Sequence, residues 1–316
     1  MMITTPLEIR DNRQLRALTG LTDEQFQKLE EEFGKVYEEI HEHKYEEAKK
    51  RGERQREKGG GRKGSLPTIG DKLLFILYYL KVYPTFDVLG SIFKMARSKA
   101  CENVHKLWPI LQETLSRLGV LPYRYFENVK DFKKAFEGID KIIIDVTERE
   151  HARPVEDEKQ SEMYSGKKKK HTVKNTIIST VTKVILFIGL TFSGHNHDYT
   201  MLKEEFPTEE SWFEDLEAYV DLGYQGIKTD YEGDGIKIPY KKPRKSKSNP
   251  SPKLTEEQKG YNRALSKIRV FIENAIGGMK RYNILRHSFR NRKEGFVDNV
   301  ISLCGGLWNI VAMSNG

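Results

Sequence analysis

The hydrophobic pattern of this 316-residue chain changes at Leu121-Pro122. Before that point, apolar residues recur mainly at helical spacing. After it, short runs rich in Ile, Val and Thr alternate with helical segments. This alternation is typical of a sheet flanked by helices. The pattern therefore predicts two domains, a helical one at about 1–125 and an α/β one at about 126–316.

The charge balance favours a polyanionic partner. Lys and Arg number 54 against 46 Asp and Glu, so the net charge is +8. No apolar run is expected to approach the ~18 residues of a membrane span, and the N-terminus has no secretory apolar segment. Only Cys101 and Cys304 occur, which excludes a disulfide framework and a cysteine-rich zinc site. We therefore expect a protein of the cytoplasm or nucleoid, with no membrane partner.

The helical half contains a predicted helix-turn-helix. Helical spacing predicts helices at 22–41, 71–84, 85–94 and 97–118. A short turn joins the last two, and in this arrangement the second helix can enter the major groove of DNA. An ordinary corner between packed helices is the alternative interpretation, because such patterns are weak signals alone.

Polar residues at the start of that second helix are the candidates for DNA contact. They are Arg97, Ser98, Lys99 and Asn103. Arg and Asn side chains can make paired hydrogen bonds to guanine and adenine in the major groove. Residues 44–65 predict a charged helix end followed by a flexible basic linker, and this linker is the alternative source of DNA affinity.

The second half has the element order of an RNase-H-like α/β fold. Strands are predicted at 141–147, 169–180, 183–194, 217–226 and 237–240, and helices at 198–206, 254–285 and 296–313. The first three strands follow one another directly, and helices separate the later ones. The expected architecture is a mixed sheet flanked by helices, behind an all-helical helix-turn-helix domain.

Two carboxylates stand where predicted strands end. Asp145 follows three isoleucines, and Asp221 follows the run Ala218-Tyr219-Val220. A single carboxylate at such a position is usually a turn former. Two in one α/β domain are more informative, because ligands of open sheets gather beyond the carboxyl ends of strands.

The long helix adds a polar line along the edge of its apolar face. At about 100° per residue, Arg269, Glu273 and Lys280 fall within one narrow stripe. A carboxylate there can face a cleft while its helix packs on the sheet. The helix alone favours the simpler interpretation, a solvated Arg–Glu pair worth a few tenths of a kcal/mol.

Other polar clusters allow more than one interpretation. Lys167, Lys168, Lys169 and Lys170 form a basic run between predicted strands, which is either solvated surface or a phosphate contact. The basic stretch 241–253 has the same two interpretations. His195, His197 and Asp198 could hold a transition metal, but no further Cys or His ligand lies nearby in sequence. A His-x-His pair on a loop is also common without a metal.

Together these segments resemble bacterial insertion-sequence transposases of the DDE superfamily. IDVTE at 144–148 and VDLGYQG at 220–226 resemble the two aspartate strands of that family. The spacing Arg269-x3-Glu273-x6-Lys280 resembles its helix signature. Residues 59–104 resemble its helix-turn-helix module. Residues 189–202 resemble the stretch between its third strand and first helix, which implies a turn there with Asp198 as the helix cap. One departure is Ser266, where the full signature has Tyr, and it puts the branch within the superfamily in doubt.

The resemblance implies a catalytic triad and its cofactors. Asp145, Asp221 and Glu273 would bind two Mg²⁺ ions, for which Mn²⁺ would substitute, with Asp145 bridging both ions. Water would cleave first, and the freed 3′-hydroxyl would then attack target DNA. Lys280 would hold a phosphate near the scissile bond, and Arg269 would orient Glu273 or contact DNA.

The implied partner is double-stranded DNA, both element ends and target. Joining two ends implies at least a homodimer on DNA. Two alternatives remain: a catalytically silent DNA-binding protein derived from a transposase, and a structure-specific nuclease that cleaves without joining.

Overall fold

The computed structural model describes residues 7–53, 64–231, 233–247, 250–291 and 295–314. The chain forms two compact units. The first consists of residues up to Leu121 together with Arg281–Arg286, and the second of Pro122–Lys280 with His287–Gly316.

The units differ from the predicted ranges 1–125 and 126–316 at two places. Residues after Leu121 belong to the second unit because the backbone of Tyr123 hydrogen-bonds to Leu186 and Ile188. Arg281–Arg286 belongs to the first unit, where Tyr282 is buried against Gly20. Lys81 also donates a hydrogen bond of 2.9 Å to the carbonyl of Arg281.

The first unit is helical throughout its described residues. Its helices are α1 (Asn12–Thr19), α2 (Asp23–Lys50), α3 (Ile69–Val82), α4 (Phe86–Ile92) and α5 (Arg97–Arg117). Thr22 begins α2 through a capping box with Gln25, and α3 is buried along nearly its whole length. Most of the residues of α3 are apolar, so this helix forms the centre of the unit.

Helix α2 continues nine residues beyond its predicted end at 41, because the charged segment that follows remains helical. Lys49 and Lys50 in its last turn complement the negative end of the helix dipole. The charged helix end predicted within 44–65 is thus present, and residues 54–63 of the predicted linker lie outside the described residues.

Helices α4 and α5 form the predicted helix-turn-helix. Phe93 to Ala96 make the turn, in which Lys94 has a left-handed φ of 54°. The turn passes so close to α4 that a Cβ on Gly90 would lie 2.5 Å from the carbonyl oxygen of Met95. Glycine at this position is therefore a steric requirement of the turn.

The second unit is a mixed sheet with flanking helices. Its strands are β1 (Lys141–Glu150), β2 (Tyr164–Ser165), β3 (Lys170–Thr180), β4 (Ile185–Ile188), β5 (Phe192–Ser193) and β6 (Glu217–Tyr219). Its helices are α6 (Val129–Ala135), α7 (Asp157–Met163), α8 (Asp198–Glu205), α9 (Ile227–Asp230), α10 (Glu256–Met279) and α11 (Phe296–Met313). β1 is antiparallel to β3 and parallel to β6, and β2, β4 and β5 pair with β3.

Three predicted strands are shorter than expected. The 183–194 run is divided into β4 and β5, because the Asn175 side chain donates hydrogen bonds to the carbonyls of Gly189 and Leu190. The 217–226 run leaves the sheet after Tyr219 and enters a 3₁₀ turn. The 237–240 run makes a single parallel bridge through Lys237.

The two faces of β1 have different neighbours. Ile142 and Ile144 pack into an apolar cluster with aromatic residues of α6 and the segment after α8. Successive side chains of a strand point to opposite faces, so Ile143 and Asp145 lie on the other face. Helix α10 packs on β1, β3 and β6. The fold thus sets Asp145 apart from the aromatic cluster.

Helix α11 corrects one expectation from the sequence. Among the described residues, Phe296–Met313 is 18 residues long with a mean hydropathy of 1.4, enough to cross a membrane by length and composition. The expectation that no apolar run approaches that length was therefore wrong. Its residues are 56% buried within the protein, and Asn309 bonds to the backbone of Ile185 on β4. These are the properties of a core helix.

Polar side chains gather around the segment between β4 and β5. Arg124 donates a hydrogen bond of 2.8 Å to Asp298, which also accepts one from Thr191 at 2.6 Å. The Glu205 carboxylate packs directly against Gly189, where a Cβ would collide with it. Burial raises the pKa of Glu205 to about 7, although Thr176, Leu190 and Arg124 oppose the shift.

The turn geometry predicts the effect of Gly90→Ala. The added methyl group must displace the carbonyl of Met95, so we expect the free energy of unfolding to fall by about 1–3 kcal/mol. Gly34→Ala in α2 is the matched control, because its Cβ would make ordinary contact with Ile69 and remove a helix glycine. Chemical denaturation measures both. Equal stability of the two variants would contradict this account of the turn.

Burial of Glu205 predicts that stability depends on pH. In the folded protein the carboxyl keeps its proton up to a pH of about 7, whereas its ordinary pKa is 4.5. The folded state then binds more protons in this window, so this group's contribution to stability is lost as the pH rises through it. Glu205→Gln should abolish that decline and be more stable at pH 8 by roughly 2–4 kcal/mol.

The measurement is denaturation at pH 5 and pH 8. The exposed neighbour Glu204 provides the control, since Glu204→Gln should retain the wild-type decline. A Glu205→Gln protein with the same pH dependence as wild type would show that this carboxyl ionises normally.

Candidate active site

Asp145 and Asp221 approach each other from the paired strands β1 and β6. Asp145 lies within β1, where its Oδ1 accepts a hydrogen bond of 2.8 Å from the N–H of Val146. Asp221 follows β6 and caps the 3₁₀ turn, where its Oδ1 accepts one of 2.6 Å from the N–H of Gly223. Because β1 and β6 are parallel, the two side chains reach the same region of the sheet.

Arg269 of α10 joins the two carboxylates. Its Nη2 lies 3.3 Å from Oδ2 of Asp145 and 3.9 Å from Oδ2 of Asp221. One cationic nitrogen thus faces one oxygen of each aspartate. The predicted pairing of Arg269 with Glu273 is not observed. The contacts of Arg269 with Asp145 and Asp221 join residues that are distant in sequence, so the helix pattern did not reveal them.

The environment of Asp145 opposes its ionisation. Burial raises the pKa of this carboxyl, and the nearby charges of Asp221 and Asp198 add to the effect. The N–H of Val146 and the guanidinium of Arg269 act in the opposite direction. A bound cation would therefore stabilise the ionised form of the Asp145 carboxyl.

Asp198 and Tyr224 also belong to this region, and the sequence analysis did not place them there. Asp198 opens α8 but does not cap it; its carboxylate instead accepts a hydrogen bond of 2.9 Å from Lys174 of β3. Tyr224 is fully buried, and this burial is the largest cause of its raised pKa. The charges of the three aspartates Asp145, Asp198 and Asp221 raise the pKa further. The sequence signal that could have placed Asp198 at this site was its position next to His195 and His197.

Glu273 lies one turn after Arg269 on α10 and is exposed. Within the described residues, no hydrogen bond or ion pair involves its carboxylate, and no three His, Cys, Asp or Glu side chains are grouped to hold a metal. The same finding leaves His195 and His197 without a zinc site in that part of the chain. The metal-binding triad therefore stays a prediction. Two of its three carboxylates, those of Asp145 and Asp221, lie near the guanidinium of Arg269.

Lys280 follows α10 and reaches back to β1. Its Nζ donates a hydrogen bond of 2.9 Å to the carbonyl oxygen of Glu148. Burial, together with the neighbouring charges of Arg149 and Lys168, lowers the pKa of Lys280 to about 8. The predicted basic run therefore comes near Lys280 through Lys168.

The other lysines of this run are exposed, and Lys170 pairs with Glu150 across β1 and β3. Lys169 adopts a left-handed φ of 57° in the turn before β3. The run thus forms a solvent-facing surface at one end of the central strands. Whether its lysines bind DNA stays a prediction.

The predicted DNA-contacting residues of α5 lie on different sides of the helix. Arg97 and Ser98 are exposed, and Arg97 lies 3.5 Å from Asp87. Lys99 pairs with Glu102 instead, and Asn103 is half-buried with its amide 3.4 Å from the sulfur of Met95. Arg97 and Ser98 are therefore better placed for an external partner than Asn103.

The polar residues of both units lie in regions that match known families. Residues 144–309, more than half of the chain, match the family described as DDE superfamily endonuclease. Residues 64–117 match the helix-turn-helix of DDE superfamily endonuclease. A probable transposase for insertion sequence element IS702 of Microchaete diplosiphon is 31% identical over 242 residues, which cover 76% of this chain and 80% of that protein. No solved structure matches the chain.

The endonuclease match includes Asp145, Asp221, Arg269 and Glu273, and the helix-turn-helix match includes α4 and α5. The two matches thus cover both the acidic site and the turn that requires Gly90. This chain belongs to the DDE superfamily of endonucleases and carries the helix-turn-helix of that superfamily in its helical unit.

Proposed function

We propose that this protein is a transposase that binds the ends of an insertion sequence, cleaves phosphodiesters there and joins the freed 3′-hydroxyl to target DNA. The observation that carries the proposal is the convergence of Asp145 and Asp221, from two parallel strands, on a single cationic nitrogen. The likeness to a probable transposase over most of both chains supports the same conclusion.

The residues at this site fit hard divalent cations. Carboxylate oxygens are the donors that Mg²⁺ prefers, and Mn²⁺ accepts the same ligands. The position between Asp145 and Asp221 already attracts a positive charge in the form of Arg269. Asp145, Asp221 and Glu273 would hold two such ions. The chemistry supplied by ions held there is Lewis acidity, which activates a water or hydroxyl and neutralises the leaving oxygen.

The chain's own residues position the DNA around these carboxylates. Lys280 and Lys168 place positive charge beside β1, where a phosphate of the cleaved strand would be attracted. The exposed Lys167, Lys169 and Lys170 extend that charge outward. Such contacts hold the phosphate backbone in position but do not read its sequence.

Sequence recognition is assigned to the helix-turn-helix. Arg97 and Ser98 are exposed at the leading end of α5, where a helix of this type meets base edges. Lys99 stands beside them for phosphate contact. Joining two element ends requires two active sites, so the working form is a homodimer on double-stranded DNA. Its place of action is the nucleoid of a bacterial cytoplasm.

The triad assignment predicts loss of cleavage without loss of binding. Asp145→Asn, Asp221→Asn and Glu273→Gln keep the side-chain shape but remove a metal ligand charge. Cleavage of DNA carrying the element ends, in Mg²⁺, should fall by about 10³-fold or more. Gel mobility shifts should show unchanged binding to the same DNA. Glu256→Gln is the control, because Glu256 is an exposed carboxylate on the same helix, paired with Lys259.

Three outcomes separate the proposal from its alternatives. Cleavage without strand joining by the wild-type protein would indicate a nuclease. Binding without cleavage would indicate a silent DNA-binding protein. Retained cleavage in any of the three variants would remove that residue from the triad.

The exposure of Arg97 predicts its contribution to recognition. Arg97→Ala should reduce the preference of the full-length protein for element ends over scrambled DNA by about 1–3 kcal/mol per lost base contact. Arg13 is an exposed arginine of α1, so Arg13→Ala removes the same charge from another helix. This change should weaken binding to element ends and to scrambled DNA equally or not at all. Competition binding at fixed salt measures the preference. An unchanged preference in Arg97→Ala would place recognition elsewhere in the chain.

A further inference from the structure

We propose that Arg269 is a positioning residue that competes with divalent cations for Asp145 and Asp221, so that loading of the site displaces its guanidinium. The inference rests on the proposed function, because it takes these two aspartates as metal ligands. It assigns Arg269 a part other than pairing with Glu273 or contacting DNA.

The oxygen atoms of the two aspartates show why the competition is direct. Oδ1 of Asp145 accepts from the N–H of Val146, and Oδ1 of Asp221 accepts from the N–H of Gly223. The remaining Oδ2 atoms both face Nη2 of Arg269. The Oδ2 atoms are thus the carboxylate oxygens without a backbone hydrogen bond, and a cation that binds them competes directly with Arg269.

Arg269 is held weakly enough to leave. Its one hydrogen bond to this pair is 3.3 Å long, and the second carboxylate oxygen is 3.9 Å away. Within the described residues its buried Nε has no hydrogen-bond partner. The charges nevertheless attract one another, because the side chains of Arg269 and Asp145 are only 19% and 21% exposed and solvent screens them in part. Displacing Arg269 should therefore change the affinity of the site for a cation, while α10 stays folded.

The arrangement couples the state of the site to α10. With Arg269 in place, its positive charge offsets part of the repulsion between Asp145 and Asp221. When Arg269 is displaced, its guanidinium becomes available on the same helix that carries Glu273 one turn later. The same side chain can then meet a phosphate of the incoming DNA.

The test measures Mn²⁺ affinity by isothermal titration calorimetry, without DNA. Arg269→Met removes the charge and keeps an unbranched, flexible side chain that packs like the aliphatic stem of Arg, so Mn²⁺ should bind about threefold to tenfold more tightly than to wild type. Arg263→Met is the matched control, an exposed arginine on the same helix, and its affinity should stay near wild type. If Arg269→Met binds Mn²⁺ no more tightly than Arg263→Met does, the inference is overturned.

A second measurement uses the wild-type protein and does not depend on the folding of a variant. Modification by an arginine-specific dicarbonyl reagent, followed by peptide mass spectrometry, reports the accessibility of each arginine. Added Mn²⁺ should increase modification of Arg269 severalfold and leave Arg263 unchanged. Unchanged or decreased modification of Arg269 would contradict displacement.

Asp145→Asn separates this inference from the proposed function. If Mn²⁺ binding survives in Asp145→Asn, the metal site itself is wrongly assigned. If binding is lost in Asp145→Asn but Arg269→Met binds like wild type, only the competition is refuted.

Discussion

Repulsion between the carboxylates of Asp145 within β1 and Asp221 after β6 is the constraint on which this structure depends. The parallel pairing of β1 and β6 brings Asp145 and Asp221 together, and burial makes the charge of Asp145 costly. Arg269 offsets that cost from α10. A site that gathers carboxylates must contain positive charge, whether from a side chain or from an ion.

The rest of the second unit supports this placement. Ile142 and Ile144 fix β1 in the aromatic cluster, which leaves Asp145 on the face where α10 packs. Lys174 holds Asp198, and Lys280 closes α10 onto the backbone of β1. Positive groups therefore surround the aspartates from β3 and α10, and this arrangement suits both the carboxylates and an anionic substrate.

Local patterns in the sequence were sufficient for much of the fold. Apolar spacing predicted α11 from 296 to 313, and the Ile run predicted β1. The strand continues to Glu150, however, so Asp145 lies within it and not at its end as expected. Features set by distant residues were not predictable. The break between β4 and β5 depends on the amide of Asn175, and the end of α10 at Met279 precedes a segment that packs in the other unit.

The site shows the same limit. A helix wheel makes Glu273 the obvious partner of Arg269, because residues four apart are neighbours on a helix. The structure instead pairs Arg269 with Asp145, which is 124 positions away in sequence. Asp198 was misread as a helix cap for the same reason, since its partner Lys174 lies on β3. Local periodicity gives the face of a side chain but not its tertiary partner.

Anomalous diffraction from crystals grown with Mn²⁺ tests the central claim most directly. At the manganese absorption edge, we expect two peaks that both contact Asp145, one of them also contacting Asp221 and the other Glu273. The guanidinium of Arg269 should have moved away from the two Oδ2 atoms. A map without a peak between Asp145 and Asp221, or with manganese bound only elsewhere on the protein, would contradict the account.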